Sequence, residues 1–132
     1  MRDNNKNYYD ESYKEYFKQR QFGILKKARD LNIYIHNLAN KMPKKCRQEG
    51  DKLKNLADDI LESIENANSI IIDDRITKEQ YLQRRKSQST ALEKLKYLDD
   101  YLICNYENKN ITEKQFENST RKNHYIRLTI QN

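Results

Sequence analysis

The sequence predicts an all-α protein, and the first observation behind this prediction is a pair of heptad seams. In the first candidate helix, apolar residues alternate at intervals of four and three, at Ile24, Ala28, Leu31, Ile35, Leu38 and Met42. The spacing returns after the single proline, at Leu53, Ala57, Ile60, Ile64, Ala67 and Ile71. This spacing puts one apolar stripe on each helix, and two stripes joined by a short turn pack against each other.

The second observation is the composition. The chain has 132 residues, of which 36% are hydrophobic and 35% charged, with only two glycines and one proline. This length suits one domain, and so few turn-forming residues suit long solvent-exposed helices rather than a β-sandwich.

The elements can be placed in order from their start and stop signals. Residues 1–15 are polar and rich in tyrosine, and we interpret them as a flexible arm, or as a first helical turn that opens at Ser12. The bundle then covers residues 16–132. Helix one runs to about Met42, because Pro43 disfavours helical geometry in the residue before it.

Two matches to the S/T-x-x-E/Q capping pattern mark later helix starts, Thr77 with Gln80 and Thr112 with Gln115. The stretch IIIDDRI has no second strand to pair with, so we assign it to a connection. The short segment YENKN makes helices three and four antiparallel neighbours. Helices two, three and four are predicted over about 47–69, 77–104 and 112–130, which gives an antiparallel up-down four-helix bundle.

Helices three and four are thin in apolar residues. Residues 83–90 read QRRKSQST and contain no large apolar side chain, so they extend into solvent or face a ligand or another subunit. Helix four offers mainly Phe116, Ile126, Leu128 and Ile130. A monomer built this way is marginal, so we expect a homo-oligomer.

The motifs of enzymes and metal sites are missing from this sequence. A di-iron bundle needs Glu-x-x-His, but Ile33 and Arg121 stand three residues before the two histidines. Paired acids such as Asp58 and Asp59 are about 100° apart on a helix and do not converge on one substrate atom. Cys46 and Cys104 lack metal-ligand spacing. A disulfide between them is one alternative, and we expect free buried thiols. We therefore expect no catalytic residues, no metal and no cofactor.

The charge predicts an acidic partner. Twenty-six Lys and Arg against twenty Asp and Glu give a formal net charge of +6, which favours RNA, DNA or an acidic protein face. No apolar run approaches a membrane span and no signal peptide is visible, so we expect a cytoplasmic protein that is not bound to a membrane. The candidate nucleic-acid-binding residues form three clusters, namely Lys44, Lys45, Arg47 and Lys52, then Arg84, Arg85 and Lys86, then Arg121, Lys122 and Arg127.

Helix two resembles a known family. The segment MPKKCRQEGDKLKNLADDILESIENAN is similar to the F-P-K/R-x-x-R motif before a glycine, followed by an apolar seam ending in E-A-N. This pattern is found in small four-helix-bundle proteins that include the accessory variability determinant of diversity-generating retroelements and the proteins of intervening sequences in bacterial 23S rRNA genes. The residues in those places are Met42, Pro43, Lys44, Arg47, Gly50 and 65–68, and the likeness continues through ALEKLKYLDDYL, Ile111 and Phe116 to cover about 22–130.

The resemblance implies a ring-shaped homopentamer of four-helix bundles with a basic surface that binds nucleic acid. For the retroelement branch it also implies association with a reverse transcriptase and its template RNA. The expected function is a non-enzymatic accessory protein that binds RNA or an RNA/DNA hybrid. Two alternatives stay open: the rRNA intervening-sequence branch with an undefined role, and a protein-interaction module such as an adaptor or inhibitor from a mobile element.

Overall fold

The chain forms four α-helices. The computed structural model describes the backbone of residues 2–131 and the side chains of residues 22–131. A 3-10 turn, Lys44–Cys46, joins the first two helices. The helices are α1 (Arg2–Lys41), α2 (Arg47–Asn68), α3 (Lys78–Glu107) and α4 (Glu113–Gln131).

Helix α1 is much longer than its neighbours. It has 40 residues, against 22 in α2, which correspond to about 60 Å and about 33 Å of helix. It begins at Arg2, well before the opening turn predicted at Ser12, and residues 2–22 contain neither proline nor glycine to interrupt it. The side chains of the predicted arm, residues 1–15, lie outside the described residues, and the arm stays a prediction.

The other helix ends follow the predicted signals closely. In both capping boxes the threonine hydroxyl accepts from the glutamine backbone N–H, at 3.0 Å for Thr77 with Gln80 and 3.1 Å for Thr112 with Gln115. Each glutamine Oε1 accepts in return from the threonine N–H. Pro43 follows the end of α1. The stretch IIIDDRI is a connection, as predicted.

The four helices pack around one core. Helix α1 contacts α2 and α4, and α3 contacts the same two helices. Both predicted seams are buried in this core apart from their outermost residues, since Ile24 is half-buried and Ile71 lies beyond α2, 67% exposed. Helix α3 adds the predicted stripe Ala91, Leu95, Leu98 and Leu102.

Helix α4 contributes an unusually polar side to the core. Ile126 and Ile130 are buried, but so are Ser119 and Asn123. Phe116 is half-buried and stacks on Tyr106 of α3 with ring centroids 4.7 Å apart. The sequence predicts few apolar residues on this helix, and buried polar side chains occupy the rest of its core-facing side.

No helix, within the part of the chain that the structure describes, is both long enough and apolar enough to cross a membrane.

Candidate nucleic-acid interface

The first predicted cluster lies at the connection between α1 and α2. Buried Met42 and Cys46 anchor this connection, and buried Gly50 packs against Ala39 of α1. The cations between and after these anchors are exposed. We call Lys44, Lys45, Arg47 and Lys52 the turn cluster.

The turn cluster is free of internal partners. Within residues 22–131, none of its four side chains makes a hydrogen bond or an ion pair. Lys44 and Arg47 line an open cavity of about 500 Å³, together with Lys54 and one acid, Asp51. Cations without partners keep their full charge available for a polyanion.

The second predicted cluster is divided by the structure. Arg84 is half-buried, and its Nη1 donates to the carbonyls of Ala67 at 2.8 Å and Ile70 at 3.1 Å. These carbonyls lie at and just after the end of α2, and the Ala67 carbonyl also accepts from the Ile70 N–H at 3.3 Å. Burial lowers the pKa of the Arg84 guanidinium. Arg85 and Lys86 are exposed.

This second cluster lies far from the turn cluster. Arg84 contacts the end of α2, whereas the turn cluster surrounds its beginning, and the 22 residues of α2 separate the two by about 33 Å. One short ligand segment does not reach both within a single subunit.

The third predicted cluster, on α4, has internal contacts at every residue. Arg127 Nη1 pairs with Asp99 Oδ2 of α3 at 3.3 Å, and Arg121 Nη2 donates to Asn118 Oδ1 at 2.7 Å. The Lys122 ammonium lies 5.5 Å from the ring centroid of Tyr34 on α1. Arg127 therefore joins α3 to α4, whereas Arg121 remains exposed to solvent.

The contact between α3 and α4 contains a polar group of its own. Asn123 Nδ2 donates to the Leu95 carbonyl at 2.7 Å and to Asp99 Oδ1 at 2.9 Å. Burial raises the pKa of the Asp99 carboxyl, although the positive charge of Arg127 acts in the opposite direction. The other amide atom, Asn123 Oδ1, is buried without a hydrogen-bond partner among the described atoms. Asp99 and Arg127 thus belong to the packing of the bundle.

A larger basic surface lies where α1 meets α4. Two contacts locate the junction of α1 and α4: Lys27 Nζ lies 3.3 Å from Thr129 Oγ1, and the Lys122 ammonium lies over the Tyr34 ring. Seven residues make two helical turns, so Lys27, Tyr34 and Lys41 follow one line along α1. We call the solvent-exposed side of this junction the α1–α4 face. Its basic residues are Lys26, Lys27, Lys41, Lys114, Arg121 and Lys122.

The α1–α4 face is strongly unbalanced in charge. Asp30 and Glu117 are the two acids that the same helical spacing places on it within residues 22–131. Exposed apolar side chains lie between the cations: Ile33 is 59% exposed, Tyr125 52% and Leu128 41%. Lys41 ends α1, and the turn cluster begins three residues later, so the two basic surfaces are continuous.

Sequence reasoning missed four residues of this face, Lys26, Lys27, Lys41 and Lys114. Lys26 and Lys27 are adjacent, but Lys114 is far from them in the sequence, and only the packing of α1 on α4 brings the cations of the two helices together. Their positions around each helix could have indicated a solvent-facing surface, because each lysine lies beside or opposite the apolar residues of its own helix.

The remaining titratable groups form local pairs. Asp58 Oδ1 accepts from Asn32 Nδ2 and contacts His36 Nε2, both at 2.8 Å, whereas Asp59 Oδ2 pairs with Lys94 of α3 at 3.4 Å. Asp58 thus contacts α1 and Asp59 contacts α3, so the two adjacent acids do not converge on one point. Burial acts to raise the pKa of Asp58, but the hydrogen bonds from Asn32 and His36 outweigh it and lower that pKa.

The two cysteines are both free, and they differ in exposure. Cys46 is buried as expected, whereas Cys104 is exposed on α3, so the expectation of buried thiols is wrong for Cys104. Among the residues with described side chains, no group of three or more His, Cys, Asp or Glu is placed to hold a metal ion.

Comparison with models of protein families, with curated proteins and with solved structures finds no match to this chain.

Proposed function

We propose that this protein is a non-enzymatic nucleic-acid-binding protein, and that the turn cluster together with the α1–α4 face forms its binding surface. The observation that carries the proposal is the charge of this face, where six cations stand against two acids. A phosphate backbone neutralises such a surface and releases counterions in doing so, which supplies affinity without reading sequence.

The proposed arrangement of the helices is an antiparallel up-down bundle. Pairs of contacting residues support it: Ala39 meets Gly50 while Asn32 meets Asp58, so residue numbers fall in α1 as they rise in α2. Tyr34 meets Lys122 while Lys27 meets Thr129, which gives the same relation between α1 and α4. In this arrangement one continuous basic strip runs from the turn along α1 and α4.

The partners that we propose come from the resemblance of helix two. They are RNA or an RNA/DNA hybrid and a reverse transcriptase of the diversity-generating type, in the cytoplasm. The proposed assembly is a homopentameric ring. Self-association through the α1–α4 face would bring like charges together, which is unfavourable.

The α2–α3 connection is therefore the better surface for a second protein. Ile71 lies there, and Leu82 in the first turns of α3 is 56% exposed. This exposed apolar surface fits contacts between subunits, and it equally fits the alternative function, a protein-interaction module. The rRNA intervening-sequence branch remains the alternative within the family.

Charge reversal tests the proposed surface. Binding of a fluorescently labelled structured RNA would be measured by anisotropy at low salt. Reversing three cations of the turn cluster should weaken binding at least about tenfold, because each removes one phosphate contact and adds repulsion. The test variant is K44E/K45E/R47E, and the control variant with the same change of net charge is R75E/K78E/K96E, at exposed positions outside the surface.

The control is expected to change affinity less than about threefold, because distant exposed charges are screened by salt. Equal losses in the two variants would reduce the proposal to an effect of net charge. Wild-type protein that binds no RNA at low salt would refute it.

A further inference from the structure

We propose that the α1–α4 face binds single-stranded nucleic acid, with one unpaired base stacked on the ring of Tyr125. This inference rests on the proposed function and specifies its ligand. Aromatic side chains hold single strands because every base has a π-face, whereas cations nearby hold the phosphates.

Tyr125 is suited to stacking by its exposure and its position. About half of its surface is open to solvent, and the ring contact that it makes is with the neighbouring His124, at a centroid distance of 6.1 Å and a tilt of 47°. Leu128 lies one turn further along α4 and extends the apolar surface beside the ring.

A fixed cation lies one turn away from Tyr125. Lys122 precedes it by three residues, and its ammonium is held over the Tyr34 ring at 5.5 Å. Residues three apart on a helix are neighbours about 5–6 Å apart at their Cβ atoms. A half-buried cation–π contact of this kind limits the freedom of the lysine side chain and leaves its remaining donors for an anion.

Other ligands fit this surface less well. A duplex keeps its bases stacked on each other, so it offers phosphates to the cations and nothing to Tyr125 or Leu128. A second copy of this chain would present its own cations. A single strand satisfies both kinds of side chain, because it has phosphates and free base faces on the same molecule.

The test compares single-stranded and duplex probes with the full chain. A labelled oligouridine of about 20 nucleotides and a labelled blunt-ended RNA duplex of equal phosphate number would be titrated by anisotropy at low salt. Tyr125→Ala should weaken oligouridine binding by about fivefold to a hundredfold and change duplex binding less than twofold. Tyr125→Phe should retain the wild-type affinity for oligouridine.

Tyr97→Ala is the matched control. Tyr97 is a similarly exposed tyrosine on α3, 49% accessible, whose hydroxyl donates to Glu93 at 3.4 Å. It lies outside the α1–α4 face, so its loss should leave both probes unaffected. Because both tyrosines are exposed, neither change should shift the urea midpoint of unfolding by a measurable amount.

A tryptophan reporter gives an independent reading. The chain contains no tryptophan, so Tyr125→Trp introduces a single indole at the proposed platform. Oligouridine should quench its emission, and the blunt-ended duplex should not.

The outcomes separate the two proposals. If Tyr125→Ala has no effect, or weakens both probes equally, the stacking inference is overturned while nucleic-acid binding stands. If the wild type binds neither probe, both proposals fail. If the wild type binds polyglutamate in preference to both probes, the partner is an acidic protein and the inference is again overturned.

Discussion

Arg84 demonstrates how one side chain can resemble a binding residue in the sequence and serve packing in the structure. Its place in the run QRRK made it a candidate for phosphate contact, together with Arg85 and Lys86. Its guanidinium instead donates to two carbonyls at the end of α2. Sequence could not predict this, because the carbonyls that accept its hydrogen bonds lie 14 and 17 residues earlier along the chain.

We expect Arg84→Met to lower the free energy of unfolding by about 1 kcal/mol, because hydrogen bonds from a charged donor contribute about 1.5–3 kcal/mol when buried and Arg84 is only half-buried. The neighbouring Arg85→Met should change it by less than about 0.5 kcal/mol, as is usual for exposed positions. Urea unfolding of the two variants measures the difference. Equal stability of the two would mean that the contacts of Arg84 with α2 contribute nothing.

The α1–α4 face shows the reverse case, in which exposed cations of the proposed binding surface were not predicted from the sequence. Lys114 has no basic run around it. Lys26 and Lys27 do form a pair comparable to KK at 44–45, but nothing in the sequence joins that pair to α4. Surfaces that form by packing were therefore missed. Predicting such surfaces requires knowing which helices are neighbours. The heptad spacing limits the possible neighbours but does not determine them.

At the scale of elements, most of the fold could be predicted. The two seams, Pro43 and the capping boxes at Thr77 and Thr112 placed α2, α3 and α4 within a few residues of their observed bounds. Local chemistry sets these ends, so a local pattern reveals them. The start of α1 could not be predicted, because its first residues carry neither an apolar seam nor a helix breaker.

The polar core of α4 was also beyond the sequence pattern. Ser119 and Asn123 are fully buried, although their residue types are usually exposed. Ser119 Oγ donates to the carbonyls of Gln115 at 2.7 Å and Phe116 at 3.0 Å, within its own helix. Partners of this kind make burial of polar residues possible, and they are visible only once the helix has been placed.

The close approach of α1 and α2 leads to a prediction about Gly50. Its missing Cβ would lie 3.4 Å from the Ala39 carbonyl oxygen and 3.6 Å from the Ala39 Cβ, which are ordinary contact distances. Gly50→Ala should therefore raise the free energy of unfolding by about 0.5–1 kcal/mol, because glycine in a helix is less favourable than alanine by that amount.

Gly23→Ala provides the comparison for this prediction, because a Cβ at Gly23 would meet nothing within 4 Å. The two variants should gain similar stability in urea unfolding. A loss with Gly50→Ala beside a gain with Gly23→Ala would show that the two helices are closer than the structure places them.

At the scale of the whole molecule, the distribution of charge matters more than its sum. A net charge of +6 is modest for 132 residues. The internal ion pairs remove Lys94 and Arg127 from the available cations, whereas the turn cluster and the α1–α4 face keep theirs together. The composition alone indicated an acidic partner, and the packing indicates the surface that would receive it.

The most direct test of the central claim is the salt dependence of RNA binding by the wild-type protein. The affinity for labelled oligouridine would be measured by anisotropy between 50 and 200 mM salt. If about six cations contact phosphates, the slope of log K against log salt is about −4, and affinity falls by about two orders of magnitude or more over this range. Absence of binding at 50 mM, or an affinity that does not change with salt, would contradict the account.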